Sequence, residues 1–222
     1  MTGVDAVRQA AVSLFARQGY AGTGIRELGR AVGLTSATLY HYAGAKEDLL
    51  AGVMRDALAE LLRSARDAVD GPGVPDGPAV QLARLVAVHV GFSAVNPQTT
   101  RVTDHEVRAL SPATRAELVG MRDDYEAMFA RVLDRGARTA VFALTDVRLA
   151  RLGLLGMCNG VANWYQSGGR VDLETLQERF IEFTCRMVGT PVLHLADLGP
   201  LAPPVRLACE PPTSTTSREE SA

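Results

Sequence analysis

The side chains able to do covalent or coordination chemistry are few in this sequence, and they are spaced badly for catalysis. Cys158, Cys185 and Cys209 are an odd count with no CxxC spacing, which suits neither a disulfide framework nor a zinc site. Cys158 and Cys185 fall in apolar helical patterns, where free buried thiols are common. His89, Asp104, His105 and Glu106 raise a metal question. Consecutive Asp-His-Glu residues on a helix point in different directions, and no HxxxH pair exists, so no metal is expected. "GTGIRELG" is no dinucleotide fingerprint, because no strand precedes it. No nucleophile–base pair or carboxylate dyad stands at a working spacing. The chain is therefore not expected to be an enzyme or to carry a cofactor, and a small helical enzyme is kept only as a remote alternative. What remains is recognition chemistry. In "GLTSATLYHYAGAKEDLL", Gly33 to Leu50, small hydroxyls and rings crowd one short segment, and Lys46 follows as the only lysine among 23 basic residues.

Those residues need elements to hold them, and the apolar spacing is helical almost throughout. Val7, Ala10, Ala11, Leu14 and Phe15 mark one helix face, stopped at Gly19. Gly24 precedes a short helix with Ile25, Leu28, Ala31 and Val32 inward and Glu27 in the place of a capping-box acid. Gly33 turns the chain, and Thr35 or Ser36 can cap the next helix, which runs to Tyr42. A long amphipathic helix starts at Lys46 and runs to about Val69, and "DGPGVPDGP" ends it as a linker. Further helices are expected over 79–95, 99–110, 112–138, 146–166 and 172–188. After Gly189 the composition turns to Pro, Ser, Thr and Glu, which reads as a mostly disordered tail.

The fold class that follows is all-α: an N-terminal three-helix unit with helix-turn-helix spacing, a long connecting helix and a C-terminal helical bundle. The divisions read as 1–45 for the helix-turn-helix domain, 46–70 for a connecting helix, 71–78 for the linker, 79–189 for the helical bundle, and 190–222 for the tail. At 47% hydrophobic residues the chain can bury a core, and a net charge of −2 leaves room for a local basic patch but not a basic coat. No apolar leader and no run near the ~20 residues of a membrane span occurs, so a cytoplasmic protein with no membrane partner is expected.

Two short helices joined at Gly33 have the spacing of a helix-turn-helix, whose second helix enters the major groove. "FARQGYAGTGIRELGRAVGLTSATLYHYAGAKEDLL" resembles the DNA-binding domain of the TetR family of transcriptional repressors, collinearly over about residues 5–62. The resemblance implies that Thr35, Ser36, Ala37, Thr38, Tyr40, His41 and Tyr42 occupy recognition-helix positions. Ser36, Ala37, Thr38 and His41 would reach base edges, and Tyr40 and Tyr42 phosphates. Arg26, on the preceding helix, would reach a base or phosphate, and Lys46 would meet a phosphate beside the first turn of the fourth helix. A lysine suits that place as a compact point charge reinforced by the helix N-terminus. Three positions depart from the family pattern: Gly24 and Ala45 stand where capping residues are usual, and Ala43 where a bulky apolar residue is usual.

The C-terminal half, about residues 85–189, resembles regulators of fatty-acid and steroid catabolism in actinobacteria that acyl-CoA thioesters release from DNA. The carrying pieces are Glu106-x-Arg108-x-Leu110-x-Pro112 and Trp164-Tyr165-x-x-Gly168-Gly169-Arg170. In relatives Arg-Pro often follows the Trp-Tyr pair, where this chain has Gln166 and Ser167. An acyl-CoA needs an apolar tunnel and cations for its phosphates. Arg108, Arg115, Arg122 and Arg170 are the expected cations. Phe92, Met121, Tyr125, Met128, Phe129 and Trp164 are the expected tunnel, with Asn159 also at the site. An ordinary core would show the same aromatic and methionine stripe. A different amphipathic or hydrophobic ligand, such as a drug, an antibiotic or a signalling molecule, is the alternative effector. The last two helices are expected to pair with a second copy. Leu152, Leu155, Cys158, Val161 and Ala162 would contribute from one, and Leu176, Phe180, Phe183 and Met187 from the other. The function expected is that of a ligand-released repressor binding palindromic operator DNA as a homodimer.

Overall fold

The computed structural model describes residues 3–212, and over these it is helical without strands. Three helices make the N-terminal unit: α1 (Gly3–Gly22), α2 (Ile25–Ala31) and α3 (Ser36–Ala43). The long α4 (Lys46–Asp70) leads to a bundle of α5 (Pro78–Val95), α6 (Pro97–His105), α7 (Pro112–Arg138), α8 (Val147–Trp164) and α9 (Leu173–Val188). The segment expected as one helix from Thr99 to Leu110 is two elements, α6 and a 3₁₀ turn over Val107–Ala109.

Local chemistry sets the ends. Gly19 interrupts α1 with φ 77° and ψ 161°, a conformation open to glycine and strained for any residue with a Cβ. The Thr35 hydroxyl accepts from the Thr38 amide at 3.2 Å and caps α3. Asp146 and Asp172 cap α8 and α9 through the amides of Leu149 and Thr175, at 2.9 and 2.7 Å. Pro78, Pro97 and Pro112 each open a helix where the missing N–H would be unbonded in any case.

Two apolar cores meet along α4. The first packs Phe15, Leu28, Leu39, Leu50 and Met54 of α1 to α4 against Val102 of α6 and Leu118 of α7. The second packs Leu85 and Val90 of α5 against Phe129, Leu133, Leu154 and Leu176. Each such fully buried Leu or Phe contributes roughly 1.5–3 kcal/mol of transfer free energy. The N-terminal unit thus shares its core with the bundle through α6 and α7, besides being joined by α4. By length and mean hydropathy α5 alone among the described helices could cross a membrane, yet it is 67% buried at the centre of the bundle and carries Arg84.

The expected tail from residue 190 needs correction over 190–212. After α9 the chain returns across the bundle as a strap. The Asn96 side chain grips it twice, donating to the Val205 carbonyl at 2.9 Å and accepting from the Leu207 amide at 2.8 Å. The buried Glu210 carboxylate accepts from the amides of Gln98 and Thr99 at 3.0 and 2.8 Å and from the Thr99 hydroxyl at 2.7 Å. It therefore sits as an acid on the N-terminus of α6, where the free N–H groups favour negative charge. Cys209 is buried in the first core, and Gln9 of α1 donates to the Ala208 carbonyl at 2.8 Å. Composition misled here because a proline-rich segment can be held by its carbonyls and a few apolar side chains. Residues 213–222, the end of the expected tail, lie outside the described residues.

Candidate nucleic-acid interface and ligand cavity

The turn between α2 and α3 is set by close backbone approach. A Cβ at Gly29 would lie 2.6 Å from the Leu34 carbonyl oxygen, so only glycine lets α2 end against the start of α3. Leu28 and Leu39 fill the space beneath, both almost fully buried. The opposite face of α3 is open: Ala37, Tyr40 and His41 are exposed, Ser36 and Thr38 are half-buried, and Arg26 of α2 is exposed beside them. Thr35 and Thr38 are tied to each other, hydroxyl to hydroxyl at 2.8 Å, so Thr35 acts first as a cap. Of the expected interface only Tyr42 cannot be placed, since its side chain, like that of Ala43, lies outside the described part.

Lys46 is where the structure departs most from the expectation. Its ammonium donates to the carbonyls of Tyr20 and Thr23, each at 2.8 Å, and lies 3.9 Å from the centroid of the Tyr20 ring. The charge is thereby spent on the end of α1 and the turn into α2, with one N–H left. Sequence spacing could not show this, because the acceptors are backbone carbonyls exposed by the break at Gly19. Ala45 has no side-chain acceptor, yet the start of α4 is half capped. The Asp48 carboxylate accepts from the Ala45 amide at 2.8 Å. One residue before Asp48, Glu47 accepts from the Ser111 amide at 2.8 Å at the start of α7, and these Ser111 hydrogen bonds hold its carboxyl below its usual value. Arg55 of α4 makes a bidentate pair with Glu117 of α7, at 2.6 and 2.9 Å. The first turns of α4 are thus fastened both to the N-terminal unit and to the bundle.

Inside the bundle, α4, α5, α6, α7 and α8 enclose a cavity of about 100 Å³. Ala57, Leu58, Leu61, Phe92 and Leu155 form its apolar wall. Part of its polar wall is a relay of neutral groups. The Tyr125 hydroxyl meets His89 Nδ1 at 2.9 Å, and His89 Nε2 meets Asn159 Oδ1 at 2.6 Å. An amide oxygen only accepts, so the proton sits on Nε2 and Tyr125 donates to Nδ1. Burial pushes the His89 pKa down to about 4, so the ring is neutral near pH 7. Asp104 also faces the cavity, and burial raises its pKa against the opposing pull of Arg122, 3.6 Å away. Two lining hydroxyls, Ser93 Oγ and Thr100 Oγ1, are buried without a hydrogen-bond partner among the described residues. Unbonded buried hydroxyls are costly unless something occupies the space before them.

Of the residues expected to hold an effector, Phe92, Arg122, Tyr125 and Asn159 line this cavity. Phe129 meets His89 edge-on behind the relay, ring centroids 6.2 Å apart, and Met121 packs against both cores without lining the cavity. Met128 is buried core, facing the far side of α7. Trp164 is exposed at the end of α8, and Arg108, Arg115 and Arg170 are exposed away from the cavity, so these four are not part of it. The missed residues are His89, Ser93, Thr100, Thr103, Asp104 and Glu126. A signal was present: His89 and Ser93 sit four apart on an otherwise apolar helix, and Thr100, Thr103 and Asp104 share one face of the next.

The expected dimer residues also divide. Leu155, Cys158, Val161, Ala162, Leu176 and Phe180 are buried within one protomer and offer no area to a second, and Leu155 faces the cavity. Leu152, Phe183 and Met187 are exposed, as are Leu149 and Trp164 of α8. Helical spacing gives two apolar stripes per helix here, and sequence alone does not say which one faces inward.

Comparison with known proteins agrees with this architecture. Residues 7–53 match the model of the bacterial regulatory proteins of the tetR family, and residues 75–188 match that of the tetracyclin repressor-like C-terminal domain. The chain is 24% identical over 182 residues to the HTH-type transcriptional repressor KstR2 of Rhodococcus jostii, covering 82% of this chain and 88% of that protein. A solved tetR-family regulatory protein from Rhodococcus RHA1 superposes with a TM-score of 0.76 at 27% identity, over 86% of this chain and 98% of the other. AibR, solved with isovaleryl coenzyme A and operator DNA, shares the fold with a TM-score of 0.72 at 20% identity, over 85% of this chain and all of that one (100%). With a helix-turn-helix at the N-terminus, a cavity-bearing helical bundle behind it, and both halves matched by the family's models, the chain belongs to the TetR family of transcriptional regulators.

Proposed function

We propose that this chain is a repressor that binds operator DNA as a homodimer and is released by a small molecule seated in the cavity between α4 and α8. The observation that carries this reading is the pair of unbonded buried hydroxyls, Ser93 and Thr100, facing a cavity whose walls are also the connections to the DNA-facing unit. α4 lines the cavity with Ala57, Leu58 and Leu61 and begins at Lys46, against α1. α6 lines it with Thr100 and Thr103 and packs Val102 into the core shared with α1. A ligand that separates α6 from α4 shifts the seat of α1 and hence of α3. In a dimer joined through Leu149, Leu152, Phe183 and Met187, that shift changes the spacing of two recognition helices, which must stand roughly 34–36 Å apart to enter successive major grooves. DNA and ligand then weaken each other's binding by the same factor.

An acyl-CoA thioester is the ligand class favoured by the similarity to AibR, whose structure holds isovaleryl coenzyme A. In this cavity only a short acyl end fits, with its carbonyl near Ser93, Thr100 and the His89–Asn159 pair. A second reading, a small neutral polar ligand without a nucleotide, is favoured by the placement of Arg108, Arg115 and Arg170 away from the cavity and by the pairing of Arg122 with Asp104. The test is a gel shift of the protein on DNA flanking its own gene, at stated salt, with calorimetric titration of short- to long-chain acyl-CoAs and of the free acids. Heat and release with a short-chain thioester support the first reading. No heat and no release with any thioester refutes it.

A further inference from the structure

A second cavity, of about 230 Å³, lies on the other side of Phe92, between the C-terminal half of α4, the middle of α5, Gln177 of α9 and the strap residues Pro200 to Val205. Its defining group is Arg84. That side chain is only 3% exposed, and no carboxylate stands within ion-pair reach of it among the described residues. Nε donates to the Ala68 carbonyl at 2.6 Å, and Nη1 donates to the carbonyls of Leu198 and Pro200. These three bonds hold the guanidinium still but leave its charge uncompensated, and Nη2 keeps both hydrogens without an acceptor among the described residues. A buried cation without an anion is costly, and burial lowers the Arg84 pKa with nothing opposing it. The other charges at the cavity are Arg63 and Asp67, 2.8 Å apart, and Arg63 also pairs with Glu60, which does not line the cavity. The remaining wall is apolar: Ala87, Val88, Phe92, Pro203 and Pro204.

We propose that this cavity is a second ligand site, distinct from the one at His89, which takes a small carboxylate with an apolar body. The carboxylate accepts from Arg84 Nη2, and the body lies along Val88, Phe92 and the prolines. Guanidinium and carboxylate match in planar donor and acceptor geometry. The space falls short of the ~300–1,000 Å³ of sites for drug-sized ligands, which limits the occupant to a small acid. Because the strap both roofs this cavity and caps α6 through Glu210, an occupant here bears on the same helix that lines the first cavity.

The test uses the full chain, with calorimetry and thermal melting against butyrate, hexanoate, octanoate and decanoate, and against 1-octanol as a neutral probe. At least one acid of the series is expected to bind one per chain and raise the melting temperature, with octanol weaker on the order of tenfold or more, as loss of a charge-assisted bond implies. Arg84→Gln is expected to erase the preference for acid over alcohol. Should that variant not fold, Val88→Trp, which fills the cavity from a half-buried position, is expected to abolish binding on its own. Ser93→Phe, which fills the other cavity, is expected to leave binding intact. The proposal is overturned if no acid of the series binds, if octanol binds as well as the acids, or if Val88→Trp leaves binding unchanged. Loss of acid binding in Ser93→Phe but not in Val88→Trp would assign the acid to the first cavity and overturn the proposal equally.

Discussion

Replacing Lys46 by methionine separates two roles for the only lysine of the chain. Methionine keeps the length and apolar stem but removes the ammonium. In the structure that ammonium makes hydrogen bonds of 2.8 Å to the carbonyls of Tyr20 and Thr23 and sits 3.9 Å from the Tyr20 ring centroid. A hydrogen bond from a charged donor contributes about 1.5–3 kcal/mol in a protected site, and a cation–π contact about 0.5–1 kcal/mol near the surface. The low ends sum to about 3.5 kcal/mol, and because Lys46 is half-buried, solvent screening lowers the total loss to about 2–3 kcal/mol. For a chain of this size each kcal/mol moves the melting point by about 2–4 °C, which gives a fall of roughly 4–12 °C. The assay is thermal melting of the free protein by circular dichroism, with no DNA present. A second measurement, DNA affinity against salt, asks about the phosphate. If Lys46 served as a phosphate contact instead, the free protein would melt normally and the slope of log affinity on log salt would drop by about one per recognition helix. That pair of results would refute the latch assignment. An unchanged slope with a lowered melting point would support it.

The relay at His89 predicts a pH dependence. Its folded pKa of about 4 lies below the ordinary 6.5, so the unfolded chain binds the proton first as pH falls. The stability from this site is full above about pH 6.5 and is lost progressively toward pH 4, by about 3 kcal/mol in all, and His89→Gln should flatten the melting-point profile across that window. Glu210→Ala should cost about 2–4 kcal/mol in chemical denaturation, because the amides of Gln98 and Thr99 and the Thr99 hydroxyl lose one acceptor together; a change below about 0.5 kcal/mol would mean that the strap is not a structural element. Leu152→Asp should convert the proposed dimer to a folded monomer by size-exclusion chromatography with light scattering, whereas Leu155→Asp, three residues on at a buried position, should unfold the chain.

Apolar periodicity, the proline and glycine signals, and the "GLTSATLYHY" segment together determined the helices, the turn at Gly33 and the chain's place among helix-turn-helix regulators. Those signals are local: a cap, a break or an amphipathic face is written within a few residues of where it acts. The departures at Gly24 and Ala45 were equally legible, although the sequence did not show that Asp48 would half restore the second cap. Tertiary structure decided everything that depends on which residues meet across the chain. It turned Lys46 from an outward charge into a latch on Tyr20 and Thr23, since its acceptors are backbone atoms more than 20 residues away. It chose the inward stripe of α8 and α9, and so moved Leu155, Cys158 and Phe180 from a dimer surface to the core. It gathered His89, Ser93, Thr100 and Asn159 into one cavity and left Arg108, Arg115 and Arg170 outside it. It also folded 190–212 back onto α6, because buried carbonyl, carboxylate and amide partners outweigh the chain entropy that composition alone leaves unopposed.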